Sequence, residues 1–177
     1  MTKLLIVLGS ARTGRVADKV LGYIQDETSK RDAIETTVAD LKELNLPFFD
    51  NPTPPASPDF ANTDENVAAW TKLVADSDAV LFVTPEYNHS ISAIQKNALD
   101  WIVTEWDGKP AAVVAYGWSG GSLALVTLKE VFSHLKLDLR EPIAQFAFMK
   151  DINPDGSIAD AASVTAQIAA TIDAIES

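Results

Sequence analysis

The feature of the sequence that most constrains its fold is a series of short apolar segments separated by longer, amphipathic ones. The apolar segments are residues 4–8, 34–39, 79–84, 111–116 and 143–148. Four of them lack the alternation of apolar and polar residues that is typical of a strand with one solvent face, which predicts strands covered on both faces. Residues 34–39 are the exception, so we expect that strand at an edge. This alternation of elements is typical of a parallel sheet wrapped by helices.

Segments between these strands, and the segment after the last one, have apolar residues at helical spacing. One face is formed by Val16, Val20 and Ile24, a second by Leu125, Leu128, Phe132 and Leu135, and a third by Ile158, Ala161, Ile168, Ile172 and Ile175. With right-handed crossovers, the pattern predicts a three-layer, flavodoxin-like α/β fold with a five-stranded parallel sheet of order 2-1-3-4-5. We expect one domain over residues 1–177, and ligands in the loops that begin at Gly9, Pro85 and Gly117.

The composition excludes several classes of function. The chain has 25 acidic and 14 basic side chains, a net charge of -11, no cysteine and two histidines. The negative charge repels nucleic acid and anionic lipid, and two histidines without cysteine make a metal site improbable. The apolar stretch 4–8 is shorter than the roughly 7 to 15 residues of a signal sequence core, and no stretch approaches the roughly 20 residues of a membrane span. We therefore expect a cytoplasmic protein with no metal, nucleic-acid or membrane partner.

The loop after the first strand has the properties of a phosphate site. It leads from the strand into the first predicted helix, so its backbone N–H groups lie at the positive end of that helix. Ser10 and Thr13 offer hydroxyl groups, and Arg12 and Arg15 offer charge-assisted hydrogen bonds. Neither the Walker pattern nor the G-x-G-x-x-G fingerprint occurs, so a terminal monophosphate fits better than a pyrophosphate. The alternative is that Thr13 caps the helix while both arginines are solvated.

Two further loops offer surfaces for a planar ring. Residues 84–90 combine a proline, an aromatic side chain and an amide at the end of a buried strand, which together can border a flat heterocycle. Residues 117–121 form a glycine-rich turn whose backbone can approach a ligand closely. Taken alone, each loop is also compatible with a simple turn. The segment 46–62, which contains five of the nine prolines, is longer than most loops and is either an interface or a surface excursion.

Together, these segments resemble the NADPH-dependent FMN reductase family of flavodoxin-like proteins. The similarity rests on Gly9-Ser10-x-Arg12-x-x-Arg15, on Pro85-Glu86-Tyr87-Asn88-x-Ser90, and on Lys96-Asn97-Ala98-x-Asp100-Trp101. It covers almost the whole chain. The sequence departs from the family at Ser92-Ala93, where members commonly have Pro-Gly, and at Gln95, where they commonly have leucine.

The resemblance implies FMN as the cofactor and assigns residues to it. It implies that the phosphate lies at Ser10, Arg12, Arg15 and the backbone near Val16. It implies that the isoalloxazine ring lies against two loops, with the contacts Pro85, Glu86, Tyr87, Asn88, Gly117, Ser119 and Gly120. Because a flavin supplies the hydride chemistry, we assign no catalytic side chain.

The implied function is an oxidoreductase that passes hydride from NADPH or NADH through FMN to a small acceptor, such as a quinone, a flavin, an azo compound or a metal anion. One alternative is a flavodoxin-type electron carrier, although such carriers usually have hydroxyl-rich phosphate loops without arginines. The other alternative is an assembly protein that has lost its cofactor. The intact motifs in all three loops argue against it.

The same sequence predicts self-association. Ile94, Leu99, Trp101 and Ile102 supply more large apolar groups than one core-facing helical stripe requires, which favours a homodimer or a dimer of dimers. The alternative is that Trp101 folds back under Trp106 into the chain's own core.

Overall fold

The structure is a computed structural model and describes residues 1–176. Its strands are β1 (Thr2–Leu8), β2 (Ile34–Asp40), β3 (Ala79–Pro85), β4 (Pro110–Gly117), β5 (Asp138–Leu139) and β6 (Ala144–Ala147). Its α-helices are α1 (Ala17–Thr28), α2 (Leu41–Leu44), α3 (Glu65–Ala75), α4 (Ala93–Asp100), α5 (Ser122–Leu135) and α6 (Ala161–Glu176), with a short 3-10 helix at Thr104–Trp106.

The strands form one parallel sheet in which the order β2-β1-β3-β4-β5 confirms the predicted 2-1-3-4-5 topology. The fifth position differs in detail, because two short strands share one edge of β4. Pro110 at the start of β4 pairs with Asp138 of β5, and Val114 farther along pairs with Ala144 of β6. The predicted fifth strand, residues 143–148, corresponds to β6.

Two apolar cores cover the two faces of the sheet. Leu5 and Val7 of β1 face a core that also holds Trp70, Phe82, Trp106 and Phe132. Leu4, Ile6 and Leu8 face the opposite core, with Val20 and Ile24 of α1 and Ile168 and Ile172 of α6. Residues of β1 therefore alternate between two buried faces, which explains why the strand has no polar periodicity. The edge strand β2 does alternate toward solvent, as predicted.

Two expectations about apolar residues were wrong. Ile158 precedes α6 instead of lying on it, because the Asp160 side chain accepts a hydrogen bond from the Ser163 N–H at 3.0 Å and begins the helix there. Leu99, Trp101 and Ile102 are buried, so the apolar surplus from which self-association was argued is internal. Trp101 is buried in the same apolar core as Trp106, and its ring packs on Phe49 at 4.9 Å between ring centroids.

The long segment between α2 and α3 is held to α4. Asn97 accepts a hydrogen bond from the Phe49 N–H at 2.9 Å, and the Pro47 carbonyl oxygen accepts from both Asn97 Nδ2 and Trp101 Nε1 at 2.8 Å. Within residues 1–176, no helix combines the length and the apolar composition that crossing a bilayer requires.

Candidate functional site

A cavity of about 210 Å³ lies at the carboxyl ends of β1, β3 and β4. Parallel strands all end at the same edge of the sheet, and the order reverses between β1 and β3, so three loops distant in sequence meet there. The cavity is lined by Ser10, Arg12, Gly14, Arg15, Val16, Pro85, Glu86, Tyr87, Tyr116, Gly117, Trp118, Phe148 and Pro154.

The loop between β1 and α1 presents hydrogen-bonding groups that the rest of the protein does not use. Across the described residues, the backbone of Ala11, Thr13 and Gly14 makes no hydrogen bond to another part of the chain. Gly14 has φ +64, a left-handed conformation that glycine adopts without steric cost. The N–H groups of this loop precede the N-terminus of α1, where the helix dipole favours an anion.

The two arginines of this loop have different surroundings. Arg12 is exposed, and within residues 1–176 its guanidinium group has no hydrogen bond or ion pair. All of its N–H donors are therefore available to a ligand in the cavity that it lines.

Arg15, by contrast, already uses most of its N–H donors. It donates from Nε to Asp18 at 2.8 Å, and from Nη1 to the Ser10 carbonyl oxygen at 2.7 Å and to Asp40 at 2.8 Å. Its Nη2 also donates to the second oxygen of Asp40. The hydrogen bond to Asp40 raises the pKa of Arg15, and the same bond lowers the pKa of Asp40. Arg15 thus ties the loop to the end of β2.

The loop after β3 is a tight two-residue turn. The Tyr87 N–H donates to the Ser90 carbonyl oxygen at 2.8 Å, and the Ser90 N–H donates back to Tyr87 at 3.0 Å. Asn88 and His89 between them have φ values of 48° and 65°. This is the left-handed geometry of a type I′ turn, and asparagine and histidine are among the non-glycine residues that adopt positive φ most readily. The turn leaves the Asn88 and His89 side chains exposed.

Glu86 connects the two loops that we expect around the flavin ring. Its carboxylate accepts hydrogen bonds from the Ser119 hydroxyl at 2.7 Å and from the Leu123 N–H at 3.1 Å. The second contact lies in the first turn of α5, whose preceding Gly121 provides no side-chain cap. The carboxylate therefore stabilises the N-terminus of α5 from the neighbouring loop.

Hydroxyl groups lie where the loop between β1 and α1 meets the loop after β3. The Ser10 and Tyr87 hydroxyl oxygens are 2.6 Å apart and share a hydrogen bond. Tyr116, at the end of β4, lines the cavity although its side chain is almost wholly buried. Burial raises the pKa of Tyr116, so the phenol stays protonated and able to donate at neutral pH.

The structure brings most of the predicted site residues together. Ser10, Arg12, Arg15, Val16, Pro85, Glu86, Tyr87 and Gly117 line the cavity, whereas Asn88, Ser119 and Gly120 do not. Sequence reasoning missed Tyr116, Trp118, Phe148 and Pro154. Tyr116 carried a usable signal, because it is a hydroxyl-bearing residue at the carboxyl end of a predicted central strand. Pro154 had none, because it reaches the cavity through an irregular connection to α6.

A buried polar cluster lies behind the two loops. Gln95 is fully buried, and its Nε2 donates to the Thr84 hydroxyl at 2.9 Å, whereas its Oε1 has no partner within the described chain. A Cβ atom at Gly9 would lie 2.2 Å from that oxygen, so the backbone of the loop between β1 and α1 packs directly on Gln95. Ser92, the N-cap of α4, donates its hydroxyl to the Gly9 carbonyl oxygen. The sequence departs from the family at Ser92 and Gln95. These residues therefore begin α4 and support the loop between β1 and α1.

Comparison with known proteins gives a consistent result. A family model described as NADPH-dependent FMN reductase matches residues 2–151. The NAD(P)H-dependent FMN reductase LOT6 of Saccharomyces cerevisiae is 30% identical, over 88% of this chain and 90% of the relative. The NADPH:quinone oxidoreductase of Arabidopsis thaliana is 33% identical, over 60% of this chain and 59% of the relative.

A solved structure is similar over nearly the full length. It is the flavoenzyme NAD(P)H:(acceptor) oxidoreductase FerB of Paracoccus denitrificans, with a TM-score of 0.78 and 28% identity, covering 99% of this chain and 98% of that one. The flavodoxin-like architecture, the cavity at the carboxyl ends of the strands and the family match all agree. The chain belongs to the NADPH-dependent FMN reductase family.

Proposed function

We propose that this chain is an FMN-dependent oxidoreductase that transfers hydride from NAD(P)H to a small acceptor such as a quinone. The observation that carries the proposal is one cavity in which Arg12 and the backbone of Gly14, without hydrogen bonds to the described chain, meet the loops after β3 and β4. Membership of the family supports it over an electron carrier without nicotinamide activity. The FMN-binding unit that we propose comprises all 177 residues.

The residues present fit FMN. A phosphate needs several converging donors, and Arg12 together with the unpaired backbone of Thr13 and Gly14 supplies them. At about 210 Å³, the cavity is smaller than the roughly 300–1,000 Å³ of pockets that enclose a drug-sized ligand. It therefore leaves part of a flavin exposed to a reactant.

Each group of residues has one task in this proposal. Arg12 and the loop backbone bind the phosphate, with Ser10 beside them, whereas Arg15 keeps the loop in place through Asp40. Tyr116 lines the cavity together with Ser10, and its hydroxyl would be available to the phosphate or the ribityl chain of FMN. The backbone and side chains of Pro85, Glu86, Tyr87 and Gly117 border the ring.

When bound, FMN would supply the hydride chemistry that links NAD(P)H to the acceptor. A quinone that becomes a hydroquinone takes up this hydride and one proton, and water at the open cavity supplies the proton. The protein therefore has to bind and orient FMN and leave it accessible to the reactants. None of its side chains has to exchange a proton.

An anaerobic titration tests the proposal. We expect purified protein loaded with FMN to lose its visible flavin absorbance on addition of NADPH or NADH and to regain it on addition of a quinone. A protein that binds one FMN per chain but stays oxidised with either nucleotide is a carrier, and a protein that binds no FMN contradicts both functions.

We also propose a homodimer or a dimer of dimers in the cytoplasm. Leu123 and Val126, one helical turn apart on α5, are 39% and 63% exposed, and such an apolar face is typical of a subunit contact. The cytoplasm is proposed because the reaction consumes NAD(P)H. Light scattering tests the assembly, and we expect a mass at least twice the 19.1 kDa of the chain. Cell fractionation tests the location.

A further inference from the structure

Trp118 differs from the other tryptophans of the chain in its exposure. The chain has four tryptophans. Trp70 and Trp106 are 0% exposed and Trp101 is 5% exposed, whereas Trp118 is 72% exposed. Leaving so large an aromatic group in water forgoes the stabilisation that its burial provides, so its position calls for an explanation.

The Trp118 ring packs against a neighbouring aromatic side chain. Its ring makes a T-shaped contact with Phe148, with 5.5 Å between centroids and 86° between planes, and Phe148 in turn contacts Tyr116 at 6.3 Å. Two hydrogen bonds stabilise the loop that carries Trp118. The Gly120 N–H donates to the Gly117 carbonyl oxygen at 3.1 Å, and the Ser119 hydroxyl donates to Glu86 at 2.7 Å.

Trp118 also lies where a reactant has to arrive. It lines the same cavity as the phosphate loop and the ring turn, together with Phe148 and Pro154. Phe48 is similarly exposed, at 76%, but does not line that cavity. Trp118 therefore differs from it in position and not in exposure. An exposed aromatic side chain that lines the proposed cofactor cavity and packs on a second ring is suited to bind a flat ring.

We propose that Trp118 is a binding platform for planar aromatic acceptors of the quinone class. The indole ring is electron-rich and a quinone is electron-poor, so offset stacking of the two is favourable. Phe148 supports the platform by packing against the indole. The inference rests on the proposed function, because it identifies the residue that recognises the acceptor of that reaction. It adds no chemical step.

The test compares Trp118→Ala, Trp118→Phe and, as a matched control, Phe48→Ala, all as FMN-loaded protein. Calorimetric titration of the oxidised proteins with menadione, without NAD(P)H, measures acceptor binding separately from turnover. We expect Trp118→Ala to weaken menadione binding about tenfold, since one stacking contact is worth roughly that factor. Trp118→Phe should lose less, and Phe48→Ala should match the wild type.

Steady-state kinetics provide the second measurement. The KM for menadione should rise about tenfold in Trp118→Ala, whereas the KM for ferricyanide, which has no ring to stack, should not change. Equal changes for both acceptors, or unchanged menadione binding, overturn the inference. A parallel loss of FMN affinity in Trp118→Ala also overturns it, because Trp118 then belongs to the cofactor site. Failure of the wild-type protein to bind FMN contradicts the proposed function instead.

Discussion

Arg12 and Arg15 are three residues apart and carry the same charge, yet the structure gives them different roles. Arg15 is committed to Asp18, to Asp40 and to the Ser10 carbonyl oxygen, whereas Arg12 has no partner within residues 1–176. The sequence predicted both as phosphate ligands. It could not separate them, because the carboxylate that engages Arg15 lies 25 residues away at the end of β2.

This difference predicts separate consequences for the two arginines. Arg12→Ala should weaken FMN binding about 10- to 100-fold, the value of one charge-assisted hydrogen bond, and should leave riboflavin binding unchanged. Its thermal midpoint should stay at the wild-type value, because Arg12 is exposed and unpaired. Titration calorimetry with both flavins and thermal denaturation measure these effects.

Arg15→Ala should instead lower the thermal midpoint, because it leaves the Asp40 carboxylate without its partner. Arg15→Lys, which keeps the charge but not the forked geometry, should recover only part of the loss. If Arg12→Ala weakens FMN and riboflavin equally, Arg12 does not bind the phosphate.

At the scale of elements, the turn between β4 and α5 depends on a close approach of two backbones. Gly121 has φ +77, and a Cβ atom there would lie 2.6 Å from the Ala115 Cβ and 2.9 Å from the Tyr116 nitrogen. Gly121→Ala should therefore reduce the free energy of unfolding by about 2–4 kcal/mol, from backbone strain and overpacking together. Chemical denaturation measures the loss.

Gly22 provides the matched control for this prediction. It lies within α1, and nothing is within 4 Å of a Cβ atom built on it. Gly22→Ala should raise stability by about 0.5–1 kcal/mol, because alanine is the better helix former. A destabilisation of Gly121→Ala no larger than that of an ordinary surface substitution contradicts the close approach.

The contact of Glu86 with α5 predicts a different pattern of cofactor loss. Glu86→Ala should weaken FMN and riboflavin alike, by about tenfold, because it releases the ring loops and leaves the phosphate loop intact. Glu86→Gln, whose amide oxygen still accepts both hydrogen bonds, should retain most of the affinity. In a double-mutant cycle with Ser119→Ala, additive losses would show that the hydrogen bond between the two side chains does not matter for binding.

The elements themselves were largely predictable from the sequence. The strands β1, β2, β3 and β4 end within two residues of the predicted limits, because buried strands have a strong compositional signal. The two-residue strand β5 was missed, since it is too short to show any periodicity. Ile158 fits the helical spacing of α6 but pairs with Ile152 in an isolated bridge, a tertiary contact that local patterning does not report.

Over the whole molecule, alkaline pH should weaken the fold. Burial raises the pKa of both Tyr23 and Tyr116 above the ordinary value of 10.0. A folded-state pKa above the unfolded value means that the contribution is fully present below pH 10 and is lost as pH rises toward the folded-state pKa. The free energy of unfolding should therefore decline above about pH 10.

Tyr116→Phe isolates one part of this decline, because phenylalanine keeps the ring and does not ionise. The variant should lose less stability than the wild type between neutral and alkaline pH, as measured by urea denaturation at each pH. Tyr23, whose hydroxyl donates to the Gly156 carbonyl oxygen at 2.7 Å, should account for part of the remainder. An identical pH dependence in wild type and Tyr116→Phe contradicts the assignment.

The contact between Gly9 and Gln95 constrains how the sequence can evolve. A side chain at position 9 would meet Gln95 Oε1 at 2.2 Å and the Val83 carbonyl oxygen at 3.0 Å. Gly9→Ala would require the buried Gln95 amide to shift, so the substitution costs stability while glutamine remains. A smaller residue at position 95 removes the closer of these two contacts, whereas the contact with the Val83 carbonyl oxygen remains. The two positions should show epistasis, and homologous sequences should covary at them.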